Sequence, residues 1–113
     1  MQPYFFPYIG YFQLIQAADI FVFYDDVQFI KRGWINRNRI TVNGEDKFIT
    51  VPCRHLSMNK KINEKEPKIE KRQIDKWIKT IKFSYSKAPY LNEILNIFTS
   101  IFNKRYRNLA DLN

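Results

Sequence analysis

Apolar positions recur along this chain with more than one period, and each period predicts a different element. Over Gly10–Ala18, Tyr11, Leu14, Ile15 and Ala18 fall at i, i+3, i+4 and i+7, which predicts a short helix with one apolar stripe. Ahead of it, Pro3 and Pro7 keep the chain irregular, because a proline lacks a backbone donor and turns its predecessor away from the helical region. After Asp19, the run Ile20-Phe21-Val22-Phe23-Tyr24 is continuously apolar and of strand length. That pattern predicts a strand buried on both faces, as in a parallel sheet covered by helices. Asp25-Asp26 end it.

Strict alternation takes over next. Arg39–Val42 and Lys47–Val51 alternate polar and apolar residues, with Asn43-Gly44 between them. This predicts a β-hairpin, since both turn residues tolerate positive φ. Pro52 closes the second strand, and the lysine-rich stretch Arg54–Glu70 reads as a surface loop or short edge segment. Helical spacing returns with Ile74, Trp77, Ile78, Ile81 and Tyr85, while Lys76, Lys79 and Lys82 lie off that face. A second amphipathic helix carries Leu91, Ile94, Leu95, Phe98, Ile101 and Phe102, with Pro89 expected in its first turn. Asn108 is expected to cap a further helix opening at Leu109. Together these elements predict a single α/β domain over residues 1–113: a Rossmann-like layer with a buried central strand, a β-hairpin and two C-terminal amphipathic helices.

Composition narrows the function classes. At 113 residues with 45% apolar content the chain is a globular domain able to bury a core. One cysteine, Cys53, and one histidine, His55, exclude a disulfide framework and a Cys/His zinc site. A Cys53–His55 nucleophile pair has no orienting third group in view, and Pro52 disturbs the strand it would need. No membrane span or signal pattern is present, so a reducing cytoplasm is the expected compartment. The net charge of +8 favours anionic partners, yet the first 30 residues hold three Asp and no Lys or Arg. Ten of the 19 aromatics lie in that same acidic head. Stacking and phosphate contacts are thus not interleaved, which disfavours nucleic acid. No GxGxxG or GxxxxGK[ST] motif supports a standard dinucleotide or P-loop site.

The ordered tokens Gln2-Pro3, Pro7, Gly10-Tyr11-Phe12, Ala18-Asp19, Asp25-Asp26-Val27-Gln28-Phe29, Lys31-Arg32, Trp34 and Arg37-Asn38-Arg39-Ile40 are distinctive. So are Val51-Pro52, Tyr85-Ser86-Lys87-Ala88-Pro89-Tyr90 and Leu109-Ala110-Asp111-Leu112-Asn113. With these the chain resembles the WbqC-like family of bacterial surface-polysaccharide and O-antigen clusters. The resemblance implies a transferase that attaches glycyl-type acyl groups to a nucleotide-linked amino sugar. It also implies an apolar strand ahead of Gln2 and a longer C-terminal part, so this chain is expected to be incomplete at both ends. With too few elements to cover both sides of a parallel sheet, it is expected either to homodimerise over its exposed faces or to be inactive alone. The rival to an enzyme is a non-catalytic scaffold that works with a partner.

Candidate site residues follow from chemistry and position. Gln2 and Tyr4 sit in the loop before the first helix, where open α/β sheets bind ligands. Asp25 and Asp26, at the end of the predicted strand, are the candidate catalytic carboxylates, suited to taking an amine proton, meeting sugar hydroxyls or holding Mg²⁺. Gln28 on the same segment supplies both donor and acceptor. Lys31, Arg32, Arg37 and Asn38 suit the phosphates of a nucleotide sugar or another phosphorylated small molecule, since a guanidinium forks onto phosphate. Arg39 is expected on the same basic surface, beside the carboxyl end of Ile20–Tyr24. An acyl donor of the acyl-carrier or coenzyme A type is the expected co-substrate; no protein-bound metal set is expected. The bland alternative for this stretch is a solvated basic turn with Trp34 in the core.

Overall fold

Asn43 and Gly44 turn the chain with φ of 52° and 78°, both in the left-handed region. They join β1 (Arg37–Val42) directly to β2 (Glu45–Thr50). The antiparallel register pairs Val42 with Glu45 and Arg37 with Thr50, so β2 begins earlier than alternation predicts. Beyond the ladder, Asn36 and Val51 continue the pairing: Val51 N–H donates to the Asn36 carbonyl (2.7 Å), and the Asn36 amide donates back to the Val51 carbonyl (2.9 Å). This hairpin is the two-stranded sheet of the fold, in a computed structural model that describes residues 1–54 and 59–113.

The helices follow their periodicity. They are α1 (Ile9–Ala17), α2 (Lys71–Ser84), α3 (Leu91–Phe102) and the short α4 (Leu109–Leu112). Lys82 in the last turn of α2 complements the negative end of the helix dipole. Pro89 lies just ahead of α3 rather than inside its first turn, because the chain makes a separate turn between Tyr85 and Leu91. The Asn108 side chain caps α4 as expected, accepting from the Asp111 amide at 2.9 Å. α2 packs on both β1 and α3, and the Tyr85 hydroxyl at its end accepts from the Thr41 amide (2.9 Å). At this junction the rings of Trp77, Phe98 and Phe102 meet one another and Phe5, with Phe98–Phe102 centroids 4.7 Å apart. Phe5, Ile35, Ile49, Val51, Ile62 and Leu109 complete the core. The chain is therefore a mixed α/β globule built from a hairpin and helices.

Two expectations are corrected. Ile20–Tyr24 forms no assigned strand and is not buried: Ile20 is 83% exposed, and Val22, Phe23 and Tyr24 are also exposed. Among the described residues its backbone pairs with Met1. The Met1 ammonium donates to the Val22 carbonyl (2.7 Å), and Tyr24 N–H donates to the Met1 carbonyl (2.8 Å), the bonding pattern of one parallel rung opposite Phe23. A run's apolarity signals what it needs to bury, whereas its burial depends on what packs there; α1 reaches this segment through the Tyr11 ring, 5.6 Å from Phe21, and leaves most of it exposed. The second correction concerns Arg54–Glu70. Its described part is not a free loop, because a 3-10 turn at Ile62–Glu64 plugs fully buried Ile62 into the core. The amides of Ile62 and Asn63 donate to the carbonyls of Val27 (3.0 Å) and Asp25 (2.9 Å). His55 lies outside the described residues, so the Cys53–His55 pair does too.

Candidate functional site

Arg32 adopts a φ of 66°, turning the chain so that Lys31 and Arg32 face the start of β1. Arg37 ties the turn together. Its Nε donates to the Gly33 carbonyl (3.1 Å) and its Nη2 to the Arg32 carbonyl. A guanidinium has more donors than these two carbonyls use, so Arg37 keeps N–H groups for a ligand. The result is a cleft of about 320 Å³ whose polar lining includes Lys31, Arg32, Asn36, Arg37 and Lys65. No acidic residue lines it among the described residues.

Lys65 is the unexpected member. It is 3% exposed, the sole buried charged side chain among the described residues. Its ammonium sits 5.1 Å from the Phe29 ring centroid, within range of a cation–π contact. Its backbone carbonyl accepts from the Leu109 amide (2.8 Å), so α4 fixes the chain behind it. Cys53 borders the same cleft half-buried. Burial pushes its thiol up to about 11, with the Lys65 charge opposing that shift. At neutral pH Cys53 is therefore a protonated thiol and a poor nucleophile.

A second cleft, of about 340 Å³, shares no lining residue with the first. It is lined by Tyr4, Phe5, Phe6, Tyr8, Trp34 and Arg39, among others. Trp34 is not core: it is 41% exposed. The Arg37 guanidinium stands 6.0 Å from its ring centroid and that of Arg39 stands 5.4 Å away. Arg37 also covers Phe48 at 4.3 Å, and Arg39 is held by Asp46 at 3.0 Å. Asn38 shapes this cleft from behind. Its amide donates to the carbonyls of Phe5 (3.0 Å) and Phe6, and its oxygen accepts from the Arg39 amide (2.7 Å). These bonds hold Phe6 at a φ of 48°, strained for a residue with a Cβ.

The sequence-predicted residues thus separate. Lys31, Arg32 and Arg37 meet in the basic cleft, whereas Tyr4, Asn38 and Arg39 border the aromatic one. Gln2 is half-buried, and its carbonyl accepts from the Tyr11 hydroxyl (2.7 Å). Gln28 pairs with Lys61 in an isolated bridge. Asp25 is half-buried and Asp26 exposed, and neither lines either cleft. Among the described residues no group of three His, Cys, Asp or Glu side chains is placed to hold a metal. No described helix is long and apolar enough to cross a membrane. Lys65 carries no sequence signal of its own because it lies in a lysine-rich run; nearby Ile62 and Ile69 are apolar hints that this run turns inward.

Comparison with known proteins settles the family. The model of the WbqC-like protein family matches residues 2–113. The chain belongs to the WbqC-like family. An uncharacterized protein of Mycobacterium tuberculosis is 35% identical over 120 residues, covering 100% of this chain and 49% of that protein. The chain spans about half the length of that relative. No solved structure matches. Within this WbqC-like chain, the position of the carboxylates makes a prediction. Asp25→Asn and Asp26→Asn should change affinity for inorganic pyrophosphate by no more than about twofold, since neither carboxylate lines the cleft and charges at a distance are screened by salt. Calorimetric titration of both variants checks this, and a tenfold effect would place the pair at the phosphate site.

Proposed function

We propose that this chain binds the phosphate groups of an activated amino sugar in the basic cleft, in a transferase that acylates the sugar during surface-polysaccharide assembly. The observation that carries the reading is the convergence of four cations, Lys31, Arg32, Arg37 and Lys65, from separate stretches of chain on one cleft whose described lining holds no acid. Cations drawn from separate chain segments and partly shielded from water bind an anion more strongly than solvated ones do. Family membership supports the polysaccharide setting. The parallel rung between Met1 and Phe23 favours a Rossmann-like layer at this end of the domain, with the loop from Gln2 to Tyr8 at its ligand-binding edge.

The chemistry would be amide formation. A neutral sugar amine attacks the carbonyl carbon of an acyl thioester, the C–S bond breaks to release a thiolate, and a base takes the amine proton and passes it to the departing sulfur. Asp25 and Asp26 are the proposed carriers of that proton. Their role is chemically separate from phosphate binding.

The test is titration with inorganic pyrophosphate. Lys65→Met keeps the packed stem and removes the charge, and should weaken binding by about tenfold or more, the loss of one charge-assisted hydrogen bond. Affinity of the native chain should fall as salt rises. Unchanged affinity in a folded Lys65→Met variant, or absence of pyrophosphate binding by the native chain, would overturn the assignment.

A further inference from the structure

The outer face of α2 is a second concentration of positive charge, built from residues that do not line the basic cleft. Trp77 and Ile81 are buried, and Ile74 and Ile78 pack against the core, which fixes the side that α2 turns inward. At about 3.6 residues per turn, Lys71, Arg72, Lys76, Lys79 and Lys82 then fall within an outward arc of about 140°. All five are exposed, and Asp75 is the one acid among them. The ion pairs at Arg39, Arg54 and Arg107 use none of these cations. Phe83 projects from the same arc, between Arg72 and Lys76, and is 70% exposed. Exposed rings are common on this chain; Phe83 differs in its place, on a helix face that otherwise carries charge.

We infer that this face of α2 seats the protein on an anionic lipid bilayer, with its cations over the headgroups and the Phe83 ring entering the boundary below them. Each cation brought to an anionic leaflet adds to the attraction, and an aromatic side chain adds apolar burial at headgroup depth. The kind of cation separates a bilayer from other anionic partners. Four of the five are lysines, point charges that suit a diffuse negative surface. The core of a protein interface favours arginine and is depleted in lysine. Nucleic acid is read by polar groups held in fixed positions as well as by charge. Here the Thr80 hydroxyl, at the edge of the face, is spent on the Lys76 carbonyl (2.9 Å). The face therefore offers charge and one ring, which is what a fluid anionic surface can meet.

Co-sedimentation of the whole chain with vesicles of phosphatidylcholine, and of phosphatidylcholine mixed with phosphatidylglycerol, tests the assignment. Binding should require the anionic lipid and weaken as salt rises. Lys76→Gln and Lys79→Gln should each weaken it about fivefold, the usual worth of one cation near an anionic bilayer. Lys47→Gln removes the same charge from β2, and α2 turns its buried side to the hairpin, so this variant should bind within about twofold of the native chain. Phe83→Gln keeps the charge and should weaken binding about fivefold by removing the inserted ring. All four positions are exposed, and surface replacements of this kind leave stability nearly unchanged. Equal binding to neutral and anionic vesicles, an equal loss from Lys47→Gln, or undiminished binding by Phe83→Gln would overturn the inference. A short DNA duplex bound more tightly than the anionic vesicles would replace it with a nucleic-acid surface. Pyrophosphate affinity should stay within about twofold in the α2 variants, and a tenfold loss there would show one anion site rather than two and overturn the inference.

Discussion

Phe102→Ala is expected to lower the stability of the chain by about 3–5 kcal/mol, the usual range for truncating a buried aromatic. Phe102 is buried in α3 at the point where three elements meet. Its ring lies 4.7 Å from Phe98, 5.4 Å from Trp77 and 6.1 Å from Phe5. These partners come from α3 itself, α2 and the N-terminal loop, so no single neighbour can move to refill the space. Part of the loss is the transfer free energy of the ring; the rest is the cavity and the lost ring-edge contacts. For a domain of this size the melting temperature should fall by about 10–20 °C. Thermal unfolding followed by circular dichroism reads it directly. A fall of less than about 3 °C would show that the helices close over the gap, and that the cluster is less constrained than its packing indicates.

The second large effect is expected at Asn38. Asn38→Ala should cost about 2–3 kcal/mol, because the Phe5 and Phe6 carbonyls each lose a donor and the Arg39 amide loses its acceptor. The same bonds hold Phe6 in its left-handed conformation, and its ring stacks on Phe98 at 5.6 Å and 12°. With the amide gone, Phe6 is free to relax and the wall of the aromatic cleft changes shape. Asn38→Asp separates donor from size. It keeps the volume and the acceptor, but sets a carboxylate against two carbonyl oxygens, so it should be at least as damaging as alanine. Denaturant unfolding of both variants checks the ranking. An aspartate variant as stable as the native chain would mean that the side chain's donors do not hold the turn.

What the sequence made legible was the part governed by local rules. The Asn43-Gly44 hairpin follows from two residues that accept positive φ, and α2 and α3 follow from apolar spacing that no other element satisfies. Asn108 announces α4 because its side chain bonds within a few residues of itself. Failure came where long-range packing decides. The run Ile20–Tyr24 has the composition of a central strand, yet among the described residues its backbone pairs with Met1 alone. Lys65 looks like every other lysine in its segment, and its burial depends on the Phe29 ring and on an α4 amide far along the chain. For the candidate site, Lys31, Arg32 and Arg37 could be grouped by proximity in sequence. Trp34 and Tyr8 could not, since an aromatic residue reads equally well as core or as a binding wall.

Asn113 gives the fold a different kind of property. Its amide donates to the Ile35 carbonyl at 2.7 Å and the Pro3 carbonyl at 3.3 Å, contacts that span 78 and 110 positions of sequence. Local unfolding proceeds in cooperative units, and a bond between distant segments enlists both in one unit. Fraying of α4 would then expose the loop that carries Phe5 and Phe6, so the aromatic cleft and the C-terminal turn should exchange their amide hydrogens as one. Contacts of such long span also close late, because the chain must first lose the entropy of a loop nearly as long as itself. The cleft wall is therefore among the last features to become native during folding, and ligand competence should trail the appearance of helix.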